Sequence, residues 1–383
     1  MTDKISKSIK PFQVLLSNTF KQTNKKAIEV LMMLACGHIF EIFTPNQLIQ
    51  TLGIDKNEIY DTIKSWSLFL FRKMFFVIGS HQALTAIREN ISKSLATLSR
   101  LKITISVDDT VVDRLGKVIS LTYNWFSGRH KKSVNGQNII VITINVGDRI
   151  IPINIRPVGK QGRDNTSKPQ VFKSMIAEVV EFFKQNGIDL TGFPITFDSW
   201  YGSDKLVEML KEVGFNVILV HAKSNYVFTI DGIKKKLSAH KQDIEFDESA
   251  WGCKGVPVAR KEAESPTFGK VILLFFRDGN NVRCVMAFGR KLRACEILSI
   301  WRQHHRVEQF FRRLKTDLQI HKMRMRCREG VYATIGIKVL AYLLMENLSA
   351  SSGLTFHQIK IRAKREVDLC SFFREHFHSF MVD

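Results

Sequence analysis

The chain has 383 residues, more than one compact domain usually holds, and a hydrophobic content of 45% is enough for substantial cores. Its 57 Lys and Arg against 36 Asp and Glu give a formal net charge of +21, which points to a polyanionic partner. The basic residues are spread along the whole chain, and no uninterrupted apolar run approaches the roughly 18 residues that span a bilayer, so nucleic acid ranks ahead of a membrane surface.

The opening MTDKISKSIKPF lacks the apolar segment of a secretory signal, and the six cysteines show no Cys-x2-Cys spacing. A soluble cytoplasmic protein, associated with the nucleoid, with buried thiols and no structural zinc is therefore expected. From Ile9 to about Arg100 apolar residues recur at helical intervals, which predicts an α-helical module over residues 1–100. Within it Thr44-Pro45 reads as a helix start, Gly53 as a break and Asp55 as the cap of a second helix ending near Trp66. That outline is helix-turn-helix-like, and its second helix would offer Lys56, Asn57, Tyr60 and Lys64 to DNA.

At Leu101 the pattern changes to the alternation Leu-Lys-Ile-Thr-Ile-Ser-Val, a strand that ends in Asp108-Asp109-Thr110. A basic loop follows with Arg129, His130, Lys131 and Lys132, then two β-rich runs joined at Gly147-Asp148 as a tight hairpin. An amphipathic helix near Val171 to Gln185 leads to a strand ending at Phe197, then Asp198, a helix from Ser203 to Val213 and a strand from Asn216 to Val220. This succession describes a mixed α/β sheet. Residues 222–292 hold short strand-like pieces and read as a β-strand insertion in a core formed by residues 101–221 and 293–349. The chain is helical again to Asn347, and residues 350–383 form a helical tail.

Cleavage of a phosphodiester by two metal ions needs several carboxylates brought to one point, and strand ends are suitable places for them. Asp109 and Asp198 each follow a strand, although an Asp there is also a common turn former or helix cap. Asp109 is assigned as the first acid; Asp108 beside it points to the other face of the strand, so only one of the two reaches the site. On a helix through residues 301–318, Val307, Phe311, Leu314 and Leu318 share one stripe about 60° wide, while Trp301, His304, Glu308 and Lys315 share another. The first stripe suits packing; the second, alternating acid and cation, suits metal binding beside a phosphate chain.

This helix resembles the Tyr-x2-Arg-x3-Glu-x6-Lys signature of the DDE transposases of bacterial insertion sequences, in the branch named after insertion sequence 4. Glu308 and Lys315 match its spacing, with Trp301 in place of the Tyr and His304 in place of the Arg. Asp109 before Thr110, Asp198 in Phe-Asp-Ser-Trp-Tyr-Gly, and the Lys-x-Asn pair Lys223 and Asn225 resemble further elements of that family. The resemblance runs from about Lys102 to Asn347 and implies an RNase H-like core with the acids at one sheet edge. It implies that Asp109, Asp198 and Glu308 are catalytic and hold two Mg2+ ions, with Mn2+ as a substitute. It further implies that the chain works as a homodimer on the terminal inverted repeats of an element, cutting the ends and joining them to target DNA. Lys315, His304, Trp301, Arg302, Lys223 and Asn225 are then expected at the DNA, with Arg129, Lys131, Lys132, Lys56, Lys64 and the run Arg324, Arg326 and Arg328 as further basic contacts. A nuclease on the same fold that cuts without joining, and a DNA-binding regulator with structural acids, are the competing readings.

Overall fold

The computed structural model describes residues 1–21, 25–97, 102–114, 118–128, 130–160, 167–250, 253, 255–322 and 325–377. The chain opens with α1 (Thr2–Thr19), α2 (Lys25–Gly37), α3 (Pro45–Leu52), α4 (Lys56–Ser65) and the long α5 (Leu68–Thr97). Local chemistry sets the limits of α3 and α4 as the sequence predicts. The Thr44 side chain accepts from the Gln47 amide, Gly53 ends α3 in the left-handed region at φ +69°, and Asp55 accepts from the Asn57 amide to open α4.

Four antiparallel strands follow: β1 (Ile103–Asp113), β2 (Tyr123–Ser127), β3 (Lys132–Val146) and β4 (Arg149–Pro157). β3 is buried from Gly136 to Val146, as its continuous run of Ile and Val requires of a strand covered on both faces. Gly147, at φ +56°, takes the first position of the two-residue turn between β3 and β4, a conformation glycine adopts without strain. β2 pairs with β3, so Lys131 stands at a hairpin tip, whereas Lys132, expected in the basic loop, is the first residue of a strand.

After α6 (Lys168–Gln185), β5 (Ile195–Phe197) and β6 (Val217–His221), separated by α7 (Asp204–Val213), continue the sheet parallel to β1, giving the order β4-β3-β1-β5-β6. Residues 222–292 supply β7 (Val227–Ile230), β8 (Ile233–Lys236), the short α8 (Leu237–Asp243), β9 (Val258–Ser265), β10 (Gly269–Asp278) and β11 (Asn281–Gly289). β11 pairs antiparallel with β6, so these strands extend the same sheet in the order β11-β10-β9-β7-β8.

The chain closes with α9 (Ala294–Thr316), α10 (Arg328–Ser352), α11 (Phe356–Glu366) and α12 (Leu369–His376). α10 is long and apolar enough to cross a bilayer by composition, but 94% of its apolar window is buried inside the fold, against α1, α2, α5 and β4. One apolar core runs from Ile5 in α1 through the sheet to Phe377, so the change of secondary structure near Leu101 is not a break in the core. Two details fasten the N-terminal helices to the rest. Gly79 of α5 lies so close to β4 that an added Cβ would stand 2.3 Å from the Pro152 carbonyl oxygen. Lys338 of α10 is fully buried, and its Nζ lies within hydrogen-bond distance of the carbonyls of Phe43 (2.9 Å) and Leu318 (2.7 Å) and of His38 Nε2 (2.7 Å). His38 Nδ1 lies 2.8 Å from the Leu34 carbonyl, which fixes the tautomer whose Nε2 accepts.

Of the six cysteines, Cys36, Cys253 and Cys284 are buried, whereas Cys327 and Cys370 are exposed, which corrects the expectation of six buried thiols. Cys327 caps α10, its sulfur accepting from the Gly330 amide.

Candidate active site

β1 alternates an apolar row, Ile103, Ile105 and Val107, with a polar row, Thr104, Ser106, Asp108 and Thr110. Hydrogen bonds show which helix each row faces. Ser106 Oγ is 3.1 Å from Thr196 Oγ1 of β5, and Thr196 Oγ1 is 3.1 Å from His304 Nδ1 of α9. Lys315, two turns beyond Glu308 on α9, donates to Thr110 Oγ1 at 2.6 Å. The polar row therefore faces α9, and the register that pairs Ser106 with Thr196 carries Asp108 and Asp198 onward together on that face.

Asp109 points the other way. Its carboxylate pairs with Lys168 at 2.6 Å and accepts from Asn138 at 2.5 Å and from the buried Tyr201 hydroxyl at 3.2 Å. The expected first acid is corrected on this point: pleating puts Asp109 against α6, and Asp108 is the acid that shares a face with Asp198 and Glu308. β1 also runs on to Asp113, so neither residue ends the strand. Electrostatics agree with the geometry. Burial, then the neighbouring Asp109 carboxylate, then Asp198 and Glu308 hold Asp108 well above the usual carboxylate range.

Two of the three acids accept from the next backbone amide, Asp108 from Asp109 at 2.8 Å and Asp198 from Ser199 at 2.6 Å, while Glu308 lies 3.7 Å from His305 Nδ1, an ion pair only when the imidazole is protonated. The neighbouring His305 side chain holds Glu308 below its ordinary value. Asp198 and Glu308 are open to solvent, with side chains 52% and 62% exposed. His221 Nδ1, at the end of β6, lies 3.8 Å from Asp198. Among the described residues no three of His, Cys, Asp and Glu converge as a ready-made ion cage. Of the two adjacent acids, Asp108 is crowded by three carboxylates while Asp109 has Lys168 as its counter-charge, and carboxylate oxygens are the donor type that divalent cations take.

Two expected DNA contacts on α9 are corrected by burial. Trp301 is 2% exposed and stacks on His304, with ring centroids 4.6 Å apart; His304 is 4% exposed. Trp301, Ile297 and Leu298 pack into a second apolar cluster with β6, β10 and β11, so this helix packs on two faces. Burial pushes the pKa of His304 down to about 4, leaving it neutral at physiological pH, so it brings no positive charge where the resembled family has an Arg. Arg302 is exposed, and Lys315 is half-buried at the rim.

The segment after β6 stands beside the second acid, because the Tyr226 hydroxyl donates to the Gly202 carbonyl at 2.6 Å. Asn225 is exposed there, and Lys223 lies over the Tyr226 ring at 5.9 Å. Lys131 and Lys132 are exposed, whereas Arg129 and Arg324 lie outside the described residues. Lys56 and Lys64 are exposed on α4, which packs on α2, α3 and α10, and Lys64 sits 3.4 Å from Asp61. Tyr60 instead bonds Asn46 across the helical pair.

Sequence reasoning passed over two features. Lys168 bridges Asp109 and the ring of Trp200, 3.9 Å from its centroid, and so ties α6 to the turn after Asp198. The polar row through Thr104 and Ser106 was the available signal for Asp108, just as Thr196 leads to Asp198.

The mixed sheet thus brings Asp108, within β1, and Asp198, just past the parallel β5, to one face, with Glu308 on α9. Residues 163–344, a little under half of the chain, match the family model described as the transposase DDE domain. The match spans Asp198, Glu308 and Lys315 and begins after β1. No curated protein matches the chain. The match supports a transposase function; the family it describes acts on DNA and generally depends on divalent metal ions.

Proposed function

We propose that the chain is a DNA transposase that binds the terminal inverted repeats of an insertion sequence, cleaves the phosphodiester bonds at its ends and joins the freed 3′-hydroxyls to target DNA. The observation that carries this reading is the shared face of Asp108, Asp198 and Glu308, with Lys315 held on Thr110 beside them. Support for an RNase H-like core comes from the order β4-β3-β1-β5-β6, with three antiparallel strands followed by two parallel to β1.

Asp108, Asp198 and Glu308 would hold two Mg2+ ions, or Mn2+ in their place. When bound, such ions activate the attacking water or 3′-hydroxyl and stabilise the leaving oxygen of an in-line displacement. The protein's part is placement. β1 and β5 fix two carboxylates at one level, α9 brings the third, and Lys315 offers a cation to a DNA phosphate at the same rim. Arg302, Asn225, Lys223, Lys131 and Lys132, which are exposed or half-buried, supply further backbone contacts, and Lys56 and Lys64 on α4 supply end recognition. A homodimer in the DNA complex serves the two element ends.

The test is incubation of a pre-cut element end with a plasmid and Mg2+. Joined product is expected. Fragment release without joining would make the chain a nuclease on the same fold, and DNA binding without either would make it a regulator.

A further inference from the structure

On the opposite face of the sheet from the three acids, a cavity of about 260 Å³ opens between β4, α6 and the start of α10. Arg72, Arg156 and Arg328 line it, together with Gln170, Ser174 and Tyr332. Of these three guanidinium groups Arg156 is buried, Arg72 half-buried and Arg328 exposed, and the one carboxylate paired with them is that of Glu178 on Arg156, among the described residues, so the cavity carries an excess of positive charge that an anion would offset. Arg156 is 7% exposed; its terminal nitrogens donate to Ser174 Oγ and Glu178, but its Nε is buried with no acceptor among the described residues. The same holds for Nε of Arg72. The two cations also oppose each other: burial first, then Arg72, pulls the pKa of Arg156 down. Arg328 is the first residue of α10, so the partial positive charge of a 25-residue helix points the same way.

We propose that this cavity binds a phosphate group. Its place fits one carried by DNA, since β4 runs parallel to β1 and Arg156 and Pro157 end it at the edge where Asp108 and Asp198 stand. That source rests on the transposase reading; the phosphate site itself does not.

The experiment is thermal unfolding in EDTA with inorganic phosphate against chloride at equal ionic strength, for the wild type, Arg328→Gln and Arg72→Gln. Arg328 is exposed, so its variant is expected to fold even if the Arg72 variant does not. Phosphate should raise the Tm of the wild type, and Arg328→Gln should weaken the effect by about tenfold in concentration. A duplex of about 20 base pairs, titrated by fluorescence anisotropy at several salt concentrations, tells the sources apart. With a DNA phosphate in the cavity, Arg328→Gln lowers the salt slope by about one. An unchanged slope with phosphate stabilisation retained assigns the site to a free phosphate compound. Equal Tm values in phosphate and chloride, or equal phosphate effects in all three proteins, overturn the proposal. Phosphate binding in a chain that performs no strand transfer would leave this site standing and remove the transposase reading.

Discussion

Exchanging the two adjacent aspartates of β1 for asparagine separates their roles, because the structure gives them opposite energetics. Asp109 pairs with Lys168 in a setting where their side chains are only 15% and 10% exposed, and it also accepts from Asn138 and Tyr201. Removing its charge leaves the buried Lys168 ammonium without a carboxylate, with the Trp200 ring facing it, which costs about 3 kcal/mol once the retained amide oxygen is allowed for. Among the described residues no cation pairs with Asp108, which is crowded by Asp109, Asp198 and Glu308, so Asp108→Asn relieves repulsion. Urea unfolding in EDTA should show Asp109→Asn destabilised and Asp108→Asn as stable as the wild type or more so. Strand transfer in Mg2+ should show the reverse order of damage. Losing a metal-holding carboxylate forfeits several kcal/mol of transition-state stabilisation, about a thousandfold in rate. A stable, inactive Asp109→Asn beside an active Asp108→Asn would refute the assignment of faces.

Other outcomes follow from the same contacts. Lys315→Ala should weaken DNA binding and lower the salt slope by about one, and an unchanged slope would remove it from the phosphate path. Gly79→Ala should destabilise by about 1–3 kcal/mol in urea unfolding, because the new Cβ meets the Pro152 carbonyl; wild-type stability would show that α5 and β4 separate freely. Burial, with Arg114, Lys322 and Lys360 nearby, pulls the Lys338 pKa down to about 6, below its ordinary 10.5. The unfolded chain therefore holds more protons between those values, so wild-type stability should rise with pH from about 6 towards 10.5 relative to Lys338→Met. A pH-independent difference between the two would mean that the acceptors on Phe43, Leu318 and His38 keep the ammonium charged throughout.

Local chemistry was legible in the sequence where one residue type has one mechanical use. Thr44, Gly53 and Asp55 mark the limits of α3 and α4, and the alternation after Leu101 marks β1. Parity was harder. Adjacent acids differ only in which face they join, and the choice depends on which helix covers which row; the contact from His304 to Thr196 decides it, and that contact joins residues 108 positions apart. The burial of Trp301 and His304 was hidden for a similar reason. A helix in solvent buries one stripe, but α9 lies between the sheet core and a second cluster built by β10 and β11, so its second stripe is covered too. The sequence marked residues 222–292 as β-rich, yet only the pairing of β11 with β6 makes them part of the same sheet. Nor did helical periodicity reveal that α10, apolar on all sides, is a shared core element for the N-terminal helices and β4.

The central claim is that Asp108, Asp198 and Glu308 work as one unit. Its most direct measurement is Mg2+-dependent joining of a pre-cut element end by the wild type and by the Asp108→Ala, Asp198→Ala and Glu308→Ala proteins, with end binding measured in parallel. Joined product from the wild type alone, with end binding kept in all four, is the predicted result. Joined product at the wild-type rate from any of the three variants would contradict it.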